Sequence, residues 1–455
     1  MPDPRCYVHT FGCRLNQFDG DALARLLAEQ GFAPASSPAA ADVHVINSCT
    51  ITHEAQAEAE RLSRRLAARH PGAAIAWTGC AASSPQGQAL AALPNVRWVR
   101  PNADKGRLAD ELGRHYGLPQ RTAAAALPVA PHAPRSRALL KVQDGCDYRC
   151  SFCIVPAVRG KSRSLPLEQL LPQLGELLAA GVPEVVVTGV HLGTWGREWR
   201  PRRRLVSLLA ALLEQLAAHA AGARLRLSSI DPHEWDEPAT ALFAAHPGRL
   251  CRSLHLPTQS LSDPVLRRMR RAHRAHQFED VVERLCRAVP GIGIGTDVIA
   301  GHPGETPAQF DETHARLARL PLSYLHVFGY SPRAKTAAAG YADPVSDEHK
   351  RRRVAALRAL SAALHRRFVE RAAGTVADVV VHRSRSRPGA PLVGMTDTFV
   401  KVWFDGPDAL LGRRTAVRLG EPVAGGARGD WLGERAERAD RPDRPSGRQR
   451  LATVA

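Results

Sequence analysis

Lysine is scarce in this sequence: six of its 62 basic residues are lysine, and arginine carries almost all of the positive charge. Aromatic residues are also few, at 5%, but with 44% apolar residues the chain can still bury several cores. Long apolar runs are missing altogether. No stretch approaches the roughly 18 residues that a membrane helix requires, so no membrane partner is expected. The opening residues, MPDPRCYVHT, lack the basic stretch and apolar core of a secretory signal. These absences set aside the membrane and secreted classes. They predict a cytoplasmic protein, in a compartment where thiols stay reduced and disulfides are rare. Nine cysteines then read as metal ligands or catalytic groups rather than as bridges.

Acidic residues fall short of basic ones, 44 against 62, for a net charge of +18. Such a balance reads first as binding of phosphate backbones, although the abundance of Arg, Ala and Pro also looks like a bias of composition. At roughly 150 residues per domain, the length suggests about three domains.

Strand–helix alternation organises the first of them, 4–120. Strands are predicted at 7–11, 43–46 and 74–77, with helices at 19–30 and 53–69, the pattern of a Rossmann-like parallel α/β sheet. Residues 121–137 are rich in Ala, Pro and Arg without an amphipathic period and read as a linker. The alternation resumes with strands at 138–143, 184–188, 224–228, 253–256, 293–299 and 324–328. Six βα units predict a partial (β/α)6 barrel over 138–371, closed by a helix at 346–373. Short strands at 376–381, 391–394, 398–404 and 413–418 predict a small β-barrel over 372–424. The remainder, 425–455, is charged and rich in Arg, Gly and Pro, and is expected to be a disordered tail.

Two groups of three cysteines carry the chemistry. Cys146, Cys150 and Cys153 lie in GCDYRCSFC just after a strand. Three thiolates at this spacing can hold three irons of a [4Fe–4S] cluster, leaving the fourth iron open to a reacting ligand. Phe152, just before the last cysteine, would shield the cluster and border an adenine pocket. A zinc site would need a fourth ligand, and the following residues, IVPAVRGKSRS, offer no His or Cys. Cys13, Cys49 and Cys80 are dispersed, but each falls just past an apolar strand. In a parallel sheet such positions share one edge, so the three converge there. Three unrelated buried thiols are the bland alternative. Cys286 reads as core, while Cys6 and Cys251 have no assignable partner.

With these residues in place, the sequence resembles the radical-SAM methylthiotransferases over about residues 5–420. Beside CDYRCSFC, the resemblance rests on FGCRLNQ (11–17), INSCTIT (46–52), TGC (78–80), IVPAVRGKSRS (154–164) and VVVTGVHLGTWG (185–196). It continues through SSIDPHEWD (228–236), LHLPTQSLSDPVLRRMRR (254–271), GTDVIAGHPGETPAQF (295–310) and HVFGYSPRAKTAAA (326–339). The resemblance implies two [4Fe–4S] clusters. One, on Cys146, Cys150 and Cys153, would bind S-adenosylmethionine (SAM) and generate a 5′-deoxyadenosyl radical. The auxiliary one, on Cys13, Cys49 and Cys80, would carry the sulfur to be inserted, and a second SAM would supply the methyl group. It also implies a C-terminal TRAM barrel, a tRNA substrate, an electron donor of flavodoxin or ferredoxin type and a sulfur source. By matching position, Thr188, Gly189, Ser228, Gln259 and Asp297 would line the SAM or substrate pocket.

Within the family, the segments look most like the branch acting at C2 of N6-threonylcarbamoyl-adenosine beside the tRNA anticodon. The isopentenyl-adenosine branch tends to carry Gln-Met-Asn after the first cysteine, where this chain has Arg14-Leu15-Asn16. The branch acting on an aspartate of a ribosomal protein usually carries Glu where this chain has Arg333. Two departures from the family pattern stand out: Leu261 replaces the usual Gly of a Gln-Ser-Gly-Ser turn, and His302 replaces an aromatic residue. A non-catalytic alternative is an RNA-binding iron–sulfur module.

Overall fold

The computed structural model describes residues 3–50, 53–84, 87–119, 136–219 and 222–433. The expected linker lies outside them except for Ser136 and Arg137, as does the chain beyond 433.

The first unit runs β1 (Arg5–Thr10), α1 (Arg14–Glu29), β2 (Ala33–Pro34), β3 (Val43–Ser48), α2 (His53–Arg69), β4 (Ala74–Gly79), β5 (Val96–Val99) and α3 (Lys105–His115). Its strands are all parallel, in the order β2-β1-β3-β4-β5. Helices cover both faces, which is why β3 and β4 read as unbroken buried runs. Leu23, Leu27, Leu108 and Leu112 of α1 and α3 pack on one face, and Ala59 and Leu66 of α2 on the other. The strand order reverses between β1 and β3, where an open α/β sheet forms a crevice at the carboxyl ends of its strands. Helix α1 begins at Arg14, five residues before the predicted start. Its first turn, RLNQ, is polar because it is tied down rather than packed. Asn16 Nδ2 donates to the carbonyls of Phe11, Asn47 and Ser48 at 2.7, 3.1 and 3.2 Å.

The second unit comprises β6 (Ala138–Lys141), β7 (Gln143–Asp144), α4 (Val155–Arg159), β8 (Arg163–Ser164), α5 (Leu167–Ala179), β9 (Glu184–Thr188), α6 (Leu205–Ala218), β10 (Arg224–Leu227), α7 (Glu237–Ala245), β11 (Ser253–His255), α8 (Asp263–Arg268), α9 (Ala275–Ala288), β12 (Gly293–Ala300), α10 (Pro307–Arg319), β13 (Tyr324–Gly329) and α11 (Asp347–Ala372). Strands β6, β9, β10, β11, β12 and β13 form the partial-barrel wall as two parallel three-stranded sheets. Two bridges, Leu225 to Leu250 and Ser229 to His255, join those sheets. A continuous apolar core lies between the wall and its helices.

The third unit is a closed barrel of β14 (Val376–Val381), β15 (Leu392–Thr396), β16 (Lys401–Phe404), β17 (Arg414–Val423) and β18 (Gly426–Trp431). Strand β18 corrects the expected tail. Residues 426–431 pair with both β16 and β17 and close the barrel, so this unit extends past 424. Its GARGDW sequence hides the strand because Gly426 and Ala427 alone are fully buried. A Cβ at Gly426 would collide with the Lys401 carbonyl.

The loop between β15 and β16 enters the floor of the partial barrel. Arg226 donates to the carbonyls of Thr396 and Asp397 at 2.7 and 3.2 Å, and Arg224 to those of Asp378 and Met395 at 2.8 and 3.1 Å. Both guanidinium groups bond Glu184. Burial would raise the Glu184 carboxyl, but Arg226 and Arg224 hold it well below the usual range. Phe399, at φ +68°, lies under the guanidinium groups of Arg14 and Arg226, 5.5 and 5.3 Å from them. No helix is long and apolar enough to cross a membrane among the described residues.

Candidate functional site

The compact cysteine loop follows β7 on the face of the barrel where the strands end. Gly145, at φ +70°, turns the chain so closely against the Lys161 carbonyl that no Cβ would fit. Cys146 N–H then donates to the Gly160 carbonyl (3.1 Å), Ser151 N–H to that of Met269 (2.9 Å) and Cys153 N–H to that of Cys150 (3.1 Å). The three thiols are therefore held by backbone contacts to α4, α8 and each other. Burial pushes the Cys146 thiol up to about 11. Burial and the neighbouring Cys150 push Cys153 up to about 12. Such thiols ionise at neutral pH only against a cation, as cluster ligands do.

The dispersed cysteines meet at the crevice between β1 and β3. Gly12 and Gly79, with φ of +92° and +91°, end the turns that deliver Cys13 and Cys80. A Cβ on Gly12 would run into Cys49 itself, and one on Gly79 into the backbone of Ser48. Cys80 N–H donates to the Ser48 carbonyl at 2.9 Å. Burial raises the Cys80 thiol, Arg159 opposes that rise and Cys13 adds to it, so these three groups share one locus. All nine cysteines are unbridged.

Sets of donor atoms that all lie within 4.8 Å of one another do occur among the described residues. They are Asp231/His233/His273 and His255/Asp297/His326, and neither cysteine triplet is among them. A single zinc ion, about 2.3 Å from each sulfur, would require thiols that close. A cluster presents a separate iron to each thiolate and does not. The donor chemistry of both triplets, three thiols each, fits [4Fe–4S] clusters.

The two groups of cysteines lie close together. Cys80 packs on Ile154 and Val158, which directly follow Cys153 in the chain. Arg159, one residue on, binds Asp19 and Asp144 at 3.0 Å each, and Lys141 binds the same two carboxylates. Burial would raise Asp19, but Lys141, Lys105 and Arg159 pull it well below the usual carboxylate range. Arg333 is buried near Cys49, with Nε and Nη2 lacking an acceptor among the described residues.

The remaining residues expected at the site are spread along the barrel mouth. Thr188 and Gly189 end β9, where a Cβ on Gly189 would sit 3.1 Å from Gln143. Ser228 follows β10, and its buried hydroxyl has no partner among the described residues. Phe152 is half-buried beside Cys153. Gln259, at φ +71°, joins the edge of β12 by backbone bonds to Asp297 and Ile299 (2.8 and 3.0 Å). Positive φ therefore falls on Gln259, and Leu261 is a buried core residue. Asp297 lies in mid-strand rather than at a strand end. It pairs with His255 (2.9 Å) and His326 (3.4 Å), which hold it well below the usual range against the opposing effect of burial. His302 is buried behind the cysteine loop, 3.1 Å from Ser151 Oγ.

Several neighbours of the thiols were not singled out from the sequence. His191 Nδ1 lies 3.8 Å from Cys146 Sγ, and burial lowers this imidazole to about 4. Arg271 Nη1 donates to Cys150 Sγ at 3.6 Å and also binds Asp231. Asp231 accepts from His233 (2.7 Å), and His233 reaches the Tyr148 hydroxyl (2.7 Å) inside the cysteine loop. Apart from the local Asp231–His233 bond, these contacts join segments 40 or more residues apart, all of them within stretches that carried the resemblance.

The sequence and the fold both have known counterparts. Residues 140–317 match the Radical SAM superfamily, and residues 5–100 match Uncharacterized protein family UPF0004. The chain is 32% identical over 425 residues to the threonylcarbamoyladenosine tRNA methylthiotransferase MtaB of Bacillus subtilis, covering 90% of this chain and 92% of the relative. It is 33% identical over 446 residues to the tRNA-2-methylthio-N(6)-dimethylallyladenosine synthase of Alkalilimnicola ehrlichii, covering 94% and 98%. The MtaB of Thermotoga maritima is 33% identical over 358 residues, covering 77% and 80%. Among solved structures, the radical S-adenosylmethionine methyltransferase TsrM from Kitasatospora setae shares the fold. Its TM-score is 0.55 at 17% identity, over 74% of this chain and 77% of that one.

Proposed function

Because the chain belongs to the radical-SAM methylthiotransferases, whose cofactors are two [4Fe–4S] clusters and SAM, we propose that it inserts a methylthio group at C2 of N6-threonylcarbamoyl-adenosine in tRNA. In this reading Cys146, Cys150 and Cys153 hold the SAM-binding cluster, and Cys13, Cys49 and Cys80 hold the auxiliary one. When bound, these groups supply one-electron cleavage of SAM and the sulfur to be transferred.

The chain's own residues hold, orient and shield. Phe152, Thr188, Gly189, Ser228 and Gln259 line the SAM pocket, with the free Ser228 hydroxyl available to a polar ligand. Asp297, fixed by His255 and His326, forms its floor. Packing of Cys80 on Ile154 and Val158 keeps the two clusters adjacent and dry. Arg159 and Arg271 counter the negative charge of the thiolates.

Arg14 carries the choice of substrate. It follows Cys13, sits partly buried by Tyr324 and Phe399, and has no hydrogen-bond acceptor for its guanidinium among the described residues. A threonylcarbamoyl group brings a carboxylate, the natural partner of a guanidinium in a low-dielectric site. An isopentenyl group brings none. The isopentenyl reading stays in view because a relative named for that product matches at similar identity. An electron donor of flavodoxin or ferredoxin type and an external sulfur source complete the proposal. Mass analysis of nucleosides from tRNA of a strain lacking the gene decides between the two. Loss of the methylthio form of threonylcarbamoyl-adenosine alone is expected. Its persistence, or loss of the isopentenyl form instead, refutes the choice.

A further inference from the structure

Residues 197–204, REWRPRRR, carry five arginines against one glutamate, and all five arginines are exposed. The segment leaves the end of β9 and returns into α6, so it lies on the face of the barrel that bears the cysteine loop. Two of the arginines are spent on neighbours. Arg197 pairs with Glu234 and donates to the Tyr148 hydroxyl at 3.0 Å, and Arg204 pairs with Asp236. Arg202 and Arg203 have no acidic partner among the described residues.

The backbone here is fixed rather than loose. Trp195 donates its indole N–H to the Leu165 carbonyl (2.9 Å) and meets Trp199 edge to face at 5.0 Å. The guanidinium of Arg203 lies over the Trp199 ring at 5.9 Å, and Arg203 N–H donates to the Gly196 carbonyl at 3.0 Å. Gly196, at φ +75°, admits this approach because a Cβ would sit 2.7 Å from that of Arg203. Glu198 is held by Ser164 (3.1 Å). Arg197, Arg202, Arg203 and Arg204 together line a cavity of about 410 Å³ that Glu234 and Asp236 also border.

We propose that this cavity seats backbone phosphates of the RNA substrate beside its target nucleotide, with Arg202 and Arg203 as the phosphate contacts. The inference rests on the tRNA reading above. Planar guanidinium forks match phosphate oxygens in pairs, and the Arg203 fork, already set over Trp199, loses little freedom on binding. Arg197 bonds Tyr148, which lies between Cys146 and Cys150 in the chain. A strand held here therefore runs past the rim of the SAM site. The two carboxylates in the cavity wall are each neutralised by their own arginine, which leaves the free pair to set the local charge.

The test is equilibrium binding of tRNA to the reconstituted protein across a salt series, for wild type, Arg202→Gln/Arg203→Gln and a control pair, Arg287→Gln/Arg319→Gln. The control arginines sit in the last turns of α9 and α10, at the opposite end of the barrel. Loss of two phosphate contacts should weaken binding about tenfold near 0.1 M salt and reduce the salt slope by about two. The control pair should change neither by as much. Equal losses in both pairs would reduce the effect to overall charge and overturn the proposal, as would unchanged binding in the Arg202/Arg203 variant. Failure of the wild type itself to bind tRNA would instead refute the tRNA reading.

Discussion

At Gly12 the chain turns with φ +92°, and the missing side chain leaves room for Cys49. Alanine there would strain the backbone and strike both Cys49 Cβ and Sγ. Gly12→Ala should therefore lose the auxiliary cluster while keeping the other, with iron falling from about eight to about four atoms per chain; unchanged iron would contradict the geometry. Arg14→Met should raise KM for tRNA bearing threonylcarbamoyl-adenosine while leaving SAM cleavage intact, because its guanidinium is assigned to the substrate carboxylate. An unchanged KM would remove that role. His233 gives a pH dependence. Burial would lower it, but hydrogen bonds to Asp231 and Glu234 raise it to about 9 from an ordinary 6.5. Its stabilising contribution is thus complete below pH 6.5 and fades as pH rises through about 9. The gap in thermal midpoint between wild type and His233→Gln should be widest below pH 6.5 and shrink toward pH 9. A gap that widens with pH would reverse the assignment.

Among the elements, the floor of the barrel is a densely charged contact. Arg226 is buried between Glu184 and the carbonyls of Thr396 and Asp397, so Arg226→Met leaves Glu184 to Arg224 and strips two carbonyls of a donor. A cost of about 1–3 kcal/mol follows, with faster proteolytic separation of the C-terminal barrel; resistance equal to wild type would show that the contact matters little. Much of this architecture was legible in the residues. All six strands of the barrel wall and helices α2 and α11 carry apolar periods strong enough to read directly. Strand β5 and helix α3 escaped because VRWV is only half-buried at a sheet edge and KGRLADELGRH buries few large residues. Strand β18 escaped because its partners, not its side chains, make it a strand. At the site, the thiol spacing and the strand-end placement of Cys13, Cys49 and Cys80 were readable locally. Arg271 and His191 were not, since folding alone brings them to the thiols from distant segments.

On the scale of the whole molecule, three units converge on one volume. Helix α1 places Cys13 and Arg14 against the barrel wall, the C-terminal loop fills the floor with Phe399, and the Asp19–Lys141–Arg159 network locks the first unit to the second. Packing of Cys80 on Ile154 and Val158 brings two groups of three thiols close together, and the proposed function gives them different tasks. Replacing each triplet by alanine, in separate proteins reconstituted anaerobically, tests that division most directly through iron content and release of 5′-deoxyadenosine. Each variant should retain about four of about eight irons. Only the variant lacking Cys146, Cys150 and Cys153 should lose SAM cleavage, while the one lacking Cys13, Cys49 and Cys80 should still cleave SAM but transfer no sulfur. Continued SAM cleavage without Cys146, Cys150 and Cys153, or full iron without Cys13, Cys49 and Cys80, would contradict the account.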